Sequence, residues 1–204
     1  ISSIELGAVL APAISAVGVL ILYHYLGREY LGADENVYWN RFRRAVLGGL
    51  DELVRSRTSF ALTNMARSGE YVGTVRMTSQ QVAVAFEDAG YVQGVLAGLK
   101  YRTGSFGKAF EDGSMVFRES KSDLLPDALA MYQTHVFWFD NGDGTVDLYA
   151  HYEYSSTNPL VAWLHYQAVG QNFERGVQKV GADLLSVGID VDSEYHKDEN
   201  AGYA

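Results

Sequence analysis

The chain contains no cysteine, which removes disulfide scaffolds, thiol nucleophiles and cysteine-based zinc sites at once. Basic residues are also few: 16 Lys and Arg stand against 25 Asp and Glu, a formal charge of −9. Binding a phosphate backbone needs a concentrated basic surface, so the balance argues against nucleic acid as a partner. No G-x-S-x-G elbow, Walker loop or Rossmann fingerprint occurs. Gly104-Ser105-Phe106-Gly107-Lys108 is Gly-rich and basic, but it lacks the strand-to-helix spacing of a phosphate cradle and reads as a hairpin loop. What remains is a chain of 204 residues, 48% hydrophobic and 13% aromatic, enough for a sizeable core in one domain with an appendage. Its 11 Arg outnumber its 5 Lys. Weakly hydrated guanidinium groups over an acidic surface fit a high-salt cytoplasm, where carboxylates keep a protein hydrated.

The N-terminal segment carries the clearest signal. From Gly7 to Gly27 there are 21 residues without a formal charge, with His24 the one side chain that ionises near neutral pH. A bilayer core takes about 20 apolar residues as a helix, so the length predicts a single transmembrane span. Leu10, Ile14, Val17, Leu20, Ile21 and Leu22 supply its apolar surface, and Tyr23, Tyr25 and Arg28 form an interfacial belt at one end. Ala11, Ala13, Ser15, Ala16 and Gly18 are small enough for close helix–helix packing. The alternative is a buried helix of a soluble domain, which seldom runs this long without charge. Arg28, Arg41, Arg43, Arg44, Arg55 and Arg57 follow the run, whereas Glu5 is the only charged side chain before it. The positive-inside rule therefore places the following domain on the cytoplasmic, or interior, side. The absence of an initiator Met points to residues removed or omitted upstream of Ile1. Ile1-Ser2-Ser3-Ile4-Glu5-Leu6 resembles the start of type IV pilins, which are cut just before a hydrophobic helix and carry an early Glu. That resemblance implies a filament subunit. Pro12, the arginines after the run and the His24 belt depart from the pilin pattern.

Residues 28–36 form a polar break, and Val37 to about Thr58 reads as an amphipathic helix. Val37, Phe42, Ala45, Val46, Leu50, Leu53 and Val54 recur at helical spacing, with Arg41, Arg43, Arg44, Asp51, Glu52 and Arg55 over the remainder. Such a helix either lies against anionic headgroups or packs its apolar face on its own domain. Residues 1–58 carry six Arg and six acids and net to zero, so the whole −9 belongs to residues 59–204.

An acidic domain over residues 59–190 follows, with an acidic, mobile tail from about Asp190. Glu70–Met77 reads as a strand, then Thr78-x-x-Gln81 as a capping box opening a helix that stops at Gly90. Leu96–Arg102 and Ser114–Arg118 read as strands around a Gly-rich turn. Met131–Phe139 and Thr145–Tyr154 flank Asp140-Asn141-Gly142-Asp143-Gly144, a strong hairpin signal. A last helix runs from about Gln171 to Val187, with Phe173, Val177, Val180, Leu184 and Val187 as its core stripe and Gly188 as its stop. The expected class is α+β: one antiparallel sheet with two helices on one face.

Several short motifs in this domain carry a family likeness. They are Tyr71-x-Gly73-Thr74, Glu87-Asp88-Ala89-Gly90-Tyr91, Leu99-Lys100-Tyr101-Arg102, Gln133-Thr134-His135-Val136, Tyr149-Ala150-His151-Tyr152-Glu153, Asn158-Pro159 and Arg175-Gly176-Val177. Over roughly residues 70–190 the pattern resembles uncharacterised proteins of haloarchaea and their viruses or plasmids. The resemblance implies a halophilic archaeal or viral origin and a virion or mobile-element component; it brings no activity and no functional residues.

Strand alternation sends Thr145, Asp147, Tyr149, His151 and Glu153 to one face, and His135 can share it across the hairpin. Two imidazoles and a carboxylate are a candidate metal or acid–base set. The competing reading is a half-exposed sheet face of hydrogen-bonded polar side chains. Aligned as a calcium loop, Asp140–Gly144 places Phe139 and Ala150 at ligand positions, so it reads as a turn. His165 and Tyr166 read as a packed aromatic edge, and Ser155–Pro159 as a turn with an Asx role. The sequence thus points to a non-catalytic protein without cofactor or nucleic acid, anchored in a bilayer and partnered by other protein subunits as a homo- or hetero-oligomer.

Overall fold

The computed structural model describes residues 33–57, 62–94, 98–104, 107–118 and 129–193. The expected anchor residues, Leu10 to Arg28, lie outside the described residues. Among the described residues no helix is long and apolar enough to cross a membrane. The class is α+β, with two sheets instead of the single one expected.

In chain order the elements are α1 (Ala33–Arg55), β1 (Thr63–Met65), a 3-10 turn (Ser68–Glu70), β2 (Tyr71–Val75), α2 (Ser79–Asp88), β3 (Val92–Gln93) and β4 (Leu99–Gly104). There follow β5 (Gly107–Phe110), β6 (Gly113–Arg118), β7 (Tyr132–Asp140), β8 (Val146–Tyr154), α3 (Ala162–Tyr166) and α4 (Phe173–Ser186). A five-stranded antiparallel sheet has the order β2-β8-β7-β6-β3. The second sheet, β1-β4-β5, pairs β1 parallel to β4 and β4 antiparallel to β5.

Gly107–Phe110 accounts for the second sheet. Instead of remaining a turn between two paired strands, it folds back on β4, with Arg102 opposite Ala109 and Thr103 opposite Lys108. The chain then changes sheets between consecutive residues: the Glu111 amide donates to the Lys100 carbonyl at 2.9 Å, and the Asp112 amide to the Trp138 carbonyl at 2.8 Å. β6 is thereby delivered to β7, which no local periodicity marks.

The capping signals hold. The Thr78 hydroxyl accepts the Gln81 amide while the Gln81 side chain accepts the Thr78 amide, and Gly90 closes α2 at φ 85°. Asn172 accepts the Arg175 amide to cap α4 at 2.9 Å, and Gly188 ends it at φ 80°. Both helices lie on one face of the large sheet. Val82 and Phe86 of α2, with Val180 and Leu184 of α4, share a core with Val136, Trp138, Val146, Leu148 and Ala150. Val187, expected in the α4 stripe, is exposed. The chain also remains with the sheet beyond Asp190: Thr74 and Asp192 exchange backbone bonds of 2.8 and 3.0 Å.

α1 is oriented against its pattern. Arg43 and Asp51 point inward at 2% and 7% exposure, while Val46, Leu50 and Leu53 face out at 36%, 43% and 50%. The reason is polar. Asp51 accepts the Leu62 and Thr63 amides at 2.8 and 2.9 Å and the Thr63 hydroxyl at 2.8 Å, fixing the entry to β1. Arg43 lies 3.0 Å from the buried Glu111 carboxylate. An unpaired buried charge costs more than an exposed Leu, so the helix turns its charges in.

At Gly176, α4 crosses β8 so closely that a Cβ would run into the backbone of His151. Gly176→Ala is expected to lever α4 off the sheet and destabilise the domain by about 1–3 kcal/mol. Thermal or urea unfolding against the wild type checks this.

Candidate functional site

β7 and β8 set the site by simple alternation. His135 stands directly opposite His151, Gln133 opposite Glu153, Phe137 opposite Tyr149 and Phe139 opposite Asp147, all on the face turned away from α2 and α4. The expected convergence of His135, His151 and Glu153 therefore occurs. The expectation of a half-exposed face does not: all three are 1% exposed. The covering comes from elsewhere in the chain. Glu70 arrives from the 3-10 turn, Lys100 and Arg102 from β4, and His165 from α3.

Around His151 the groups form a line. Its Nδ1 is 2.7 Å from Glu70 Oε1, and its Nε2 is 3.0 Å from Glu153 Oε2. His135 Nδ1 faces the same His151 Nε2 at 3.4 Å and Glu153 Oε1 at 3.6 Å. The other nitrogen of His135 is 2.7 Å from the Ser114 hydroxyl. Glu153 is held from three further directions: Gln133 Nε2 donates to it at 3.0 Å and Gln171 Nε2 at 3.2 Å, and His165 Nδ1 lies 3.1 Å away. Glu70 in turn accepts the Lys100 ammonium at 2.7 Å and the Arg67 amide at 2.7 Å. The short contacts of His151 Nδ1 and His165 Nδ1 are out of line for hydrogen bonding, leaving both nitrogens without an aligned partner among the described residues.

Burial works against every charge here, and neighbours decide each outcome. Burial favours the acid form of Glu70, but the Lys100 ammonium and His151 outweigh it and hold the carboxyl at about 2. Burial is likewise overcome at Glu153, where His165 and His151 keep the carboxyl well below its usual range. His151 is lowered by burial and raised more strongly by Glu153 and Glu70, ending above an ordinary imidazole. Burial and then the positive charge of His151 drive His135 well below one, against the pull of Glu153. The first proton taken up by the pair therefore sits on His151. Glu111 goes the opposite way: burial raises it to about 7 despite Arg43 and the Lys100 amide. Tyr166 is pushed up to about 12 by burial and the nearby Glu153 charge.

A second polar link lies toward the hairpin turn. Arg102 donates to Asp147 and Asn141, both at 3.0 Å, stacks over Phe139 at 4.9 Å, and Asp147 accepts the Thr74 hydroxyl at 2.6 Å. In the turn itself Asp140 accepts the Gly142 amide and Asp143 the Thr145 amide, so these carboxylates serve the turn, as expected. Asn158 accepts the Leu160 amide at 2.9 Å in the expected Asx role.

Glu70, Lys100, Ser114 and His165 were outside the site expected from sequence. Lys100 alternates with the apolar Leu99 and Tyr101, a faint sign of a strand with one polar, inward residue. Glu70, Ser114 and His165 carry no local sign, because the second sheet and α3 bring them in. Chemically, the arrangement is a buried relay of carboxylates and imidazoles. No family model, curated protein or solved structure matches the chain.

Glu70→Gln leaves the Lys100 ammonium buried opposite a neutral amide. It is expected to cost about 3–5 kcal/mol, read from urea unfolding at neutral pH. Glu111 yields a pH dependence of fixed sign. Its folded pKa of about 7 exceeds its unfolded value of 4.5, so the folded state holds the extra proton between them. That contribution is fully present below pH 4.5 and is lost as pH rises toward 7. Stability measured between those limits is expected to fall with a shallower slope in Glu111→Gln than in wild type.

Proposed function

We propose that this chain is a non-catalytic, membrane-anchored structural protein, whose α+β domain binds neighbouring protein subunits. The observation that carries the reading is the outward apolar face of α1. This helix follows the uncharged 21-residue run after five residues and presents Val46, Leu50 and Leu53 to the outside. Ala45 and Gly49 on the same face are small enough for a close helix approach, and among the described side chains of this face Glu52 is the one charge. Such a face suits a helix of another subunit better than anionic headgroups, which select Lys and Arg. Burial of the acid–base cluster supports the non-catalytic part, since a substrate would have to open the space between two sheets.

In this reading Leu10, Ile14, Val17, Leu20, Ile21 and Leu22 lie in the hydrocarbon core, with Tyr23, Tyr25 and Arg28 at its edge and the domain on the cytoplasmic or interior side. The family resemblance supplies the setting: the virion membrane of a halophilic archaeal virus. Carbonate or high-salt washing of the native membrane is expected to leave the chain in the pellet, and detergent to release it. Release without detergent overturns the anchor. Because the chain has no cysteine, Leu50→Cys introduces a single thiol. Labelled with a maleimide-linked photoreactive benzophenone, this thiol is expected to give a light-dependent cross-link to a neighbouring subunit in the native assembly. Full labelling by an impermeant maleimide, with no cross-linked species, overturns the docking face.

A further inference from the structure

The inward nitrogens of His135 and His151 converge on the Glu153 carboxylate from the two strands of one hairpin. His135 Nδ1 and His151 Nε2 meet at 3.4 Å, beyond a strong N–H···N bond, and both compete for one carboxylate. Their ligand atoms and those of Glu153 all lie within 4.8 Å of one another. We propose that His135 Nδ1, His151 Nε2 and Glu153 bind a divalent first-row transition ion, with a structural role between the two sheets.

Distance is the first support. Bonds of about 2.0–2.1 Å at tetrahedral angles set ligand atoms about 3.3 Å apart. His135 Nδ1 and His151 Nε2 are 3.4 Å apart, His151 Nε2 is 3.0 Å from Glu153 Oε2, and His135 Nδ1 is 3.6 Å from the other oxygen, Oε1. The two nitrogens already have the required spacing, and a turn of the carboxylate brings one oxygen toward both. The donor set is suitable: two imidazoles and a carboxylate accept zinc and its neighbours in the series, and no thiolate is needed.

The second support is an outer shell that places a polar group beside every ligand: the Ser114 hydroxyl is hydrogen-bonded to His135, and Glu70 lies close to His151 Nδ1 without being in line. A metal-bound imidazole requires its remote nitrogen to be fixed by a partner. His151 has Glu70 at 2.7 Å from Nδ1, and His135 has the Ser114 hydroxyl at 2.7 Å from Nε2. Glu153 has Gln133, Gln171 and His165. Arg67 and Lys100 then hold Glu70. In both histidines it is the remote nitrogen that faces the outer partner and the near one that faces the cluster. Chance hydrogen bonding in a polar core has no reason to sort the nitrogens this way.

The third support is the unpartnered nitrogen of His165. Buried at 7% exposure, it points at Glu153 without an aligned bond. Once Glu153 is ligated, a modest rotation of the carboxylate aligns this N–H. With three protein ligands, one position is left on a tetrahedral ion for a water. The site is therefore one that ties β7 to β8 and, through Glu70 and Lys100, the large sheet to the small one. The proposal stands apart from the membrane anchor: either can fail while the other holds.

The test uses the full chain, stripped with a chelator, reloaded with zinc and desalted. Elemental analysis is expected to give one zinc per chain, and the midpoint of thermal unfolding to rise by several degrees over the stripped protein. Cobalt in place of zinc is expected to show the intense visible absorption of an ion with fewer than six ligands. His135→Gln is expected to lose stoichiometric binding. Should that variant not fold, Ser114→Ala decides: it leaves all ligands in place and is expected to weaken zinc binding about 10–100-fold. Less than a tenth of an equivalent of zinc in the wild type overturns the site. So does stoichiometric zinc whose affinity is unchanged in Ser114→Ala, because the ion is then held elsewhere.

Discussion

One constraint governs this domain: a charge taken out of water must meet its counter-charge. The inward face of the β7–β8 hairpin carries His135, His151, Glu153 and Asp147, and covering it with a second sheet makes that requirement strict. Each element on this side brings a partner. The 3-10 turn brings Glu70, β4 brings Lys100 and Arg102, and α1 brings Arg43 to the Glu111 that precedes β6. These pairs help to place the small sheet, alongside an apolar cluster that among the described residues comprises Ala66, Phe137, Phe139 and Tyr149, with Tyr71 against it.

The opposite face of the same hairpin is conventional. Val136, Trp138, Leu148 and Ala150 meet Phe86, Val180 and Leu184, and α2 and α4 hold there by ordinary burial. The two faces differ in what they tolerate. An apolar layer can repack around a change in side-chain volume, whereas a buried ion-pair network has few alternative geometries once a partner is lost. This makes the inter-sheet layer the place where the domain's structure is uniquely specified, and a place where a bound ion would add a further cross-tie. The same demand explains α1, whose apolar stripe faces outward because its charges are needed inside.

Legibility followed the range of the interactions. The Thr78–Gln81 capping box, the Asn172 cap, the Asp140–Gly144 turn and the stops at Gly90 and Gly188 were all readable, because each is made by residues within a few positions of one another. The His135–His151–Glu153 convergence was also readable, since a hairpin turn sets the register of its two strands. The sequence leaves open which way the apolar face of α1 turns, and the fold turns it outward. Periodicity reports which residues share a stripe; whether that stripe faces in or out depends on Glu111 and Thr63, both distant in sequence. β5 carries no sequence signal because Gly107–Phe110 is short and three of its four residues, Gly, Lys and Ala, are depleted in strands.

By itself, the sequence determined the α+β class, the placement of α2 and α4, the hairpin and the grouping of two histidines with a glutamate. These follow from backbone preferences and side-chain alternation, which act over a few residues. Tertiary structure alone decided that the polar face would be sealed, that Glu70, Lys100, Ser114 and His165 would close around it, and that β1, β4 and β5 would make a second sheet. Those outcomes depend on which distant charges can meet away from water, a choice made only when the whole chain is folded.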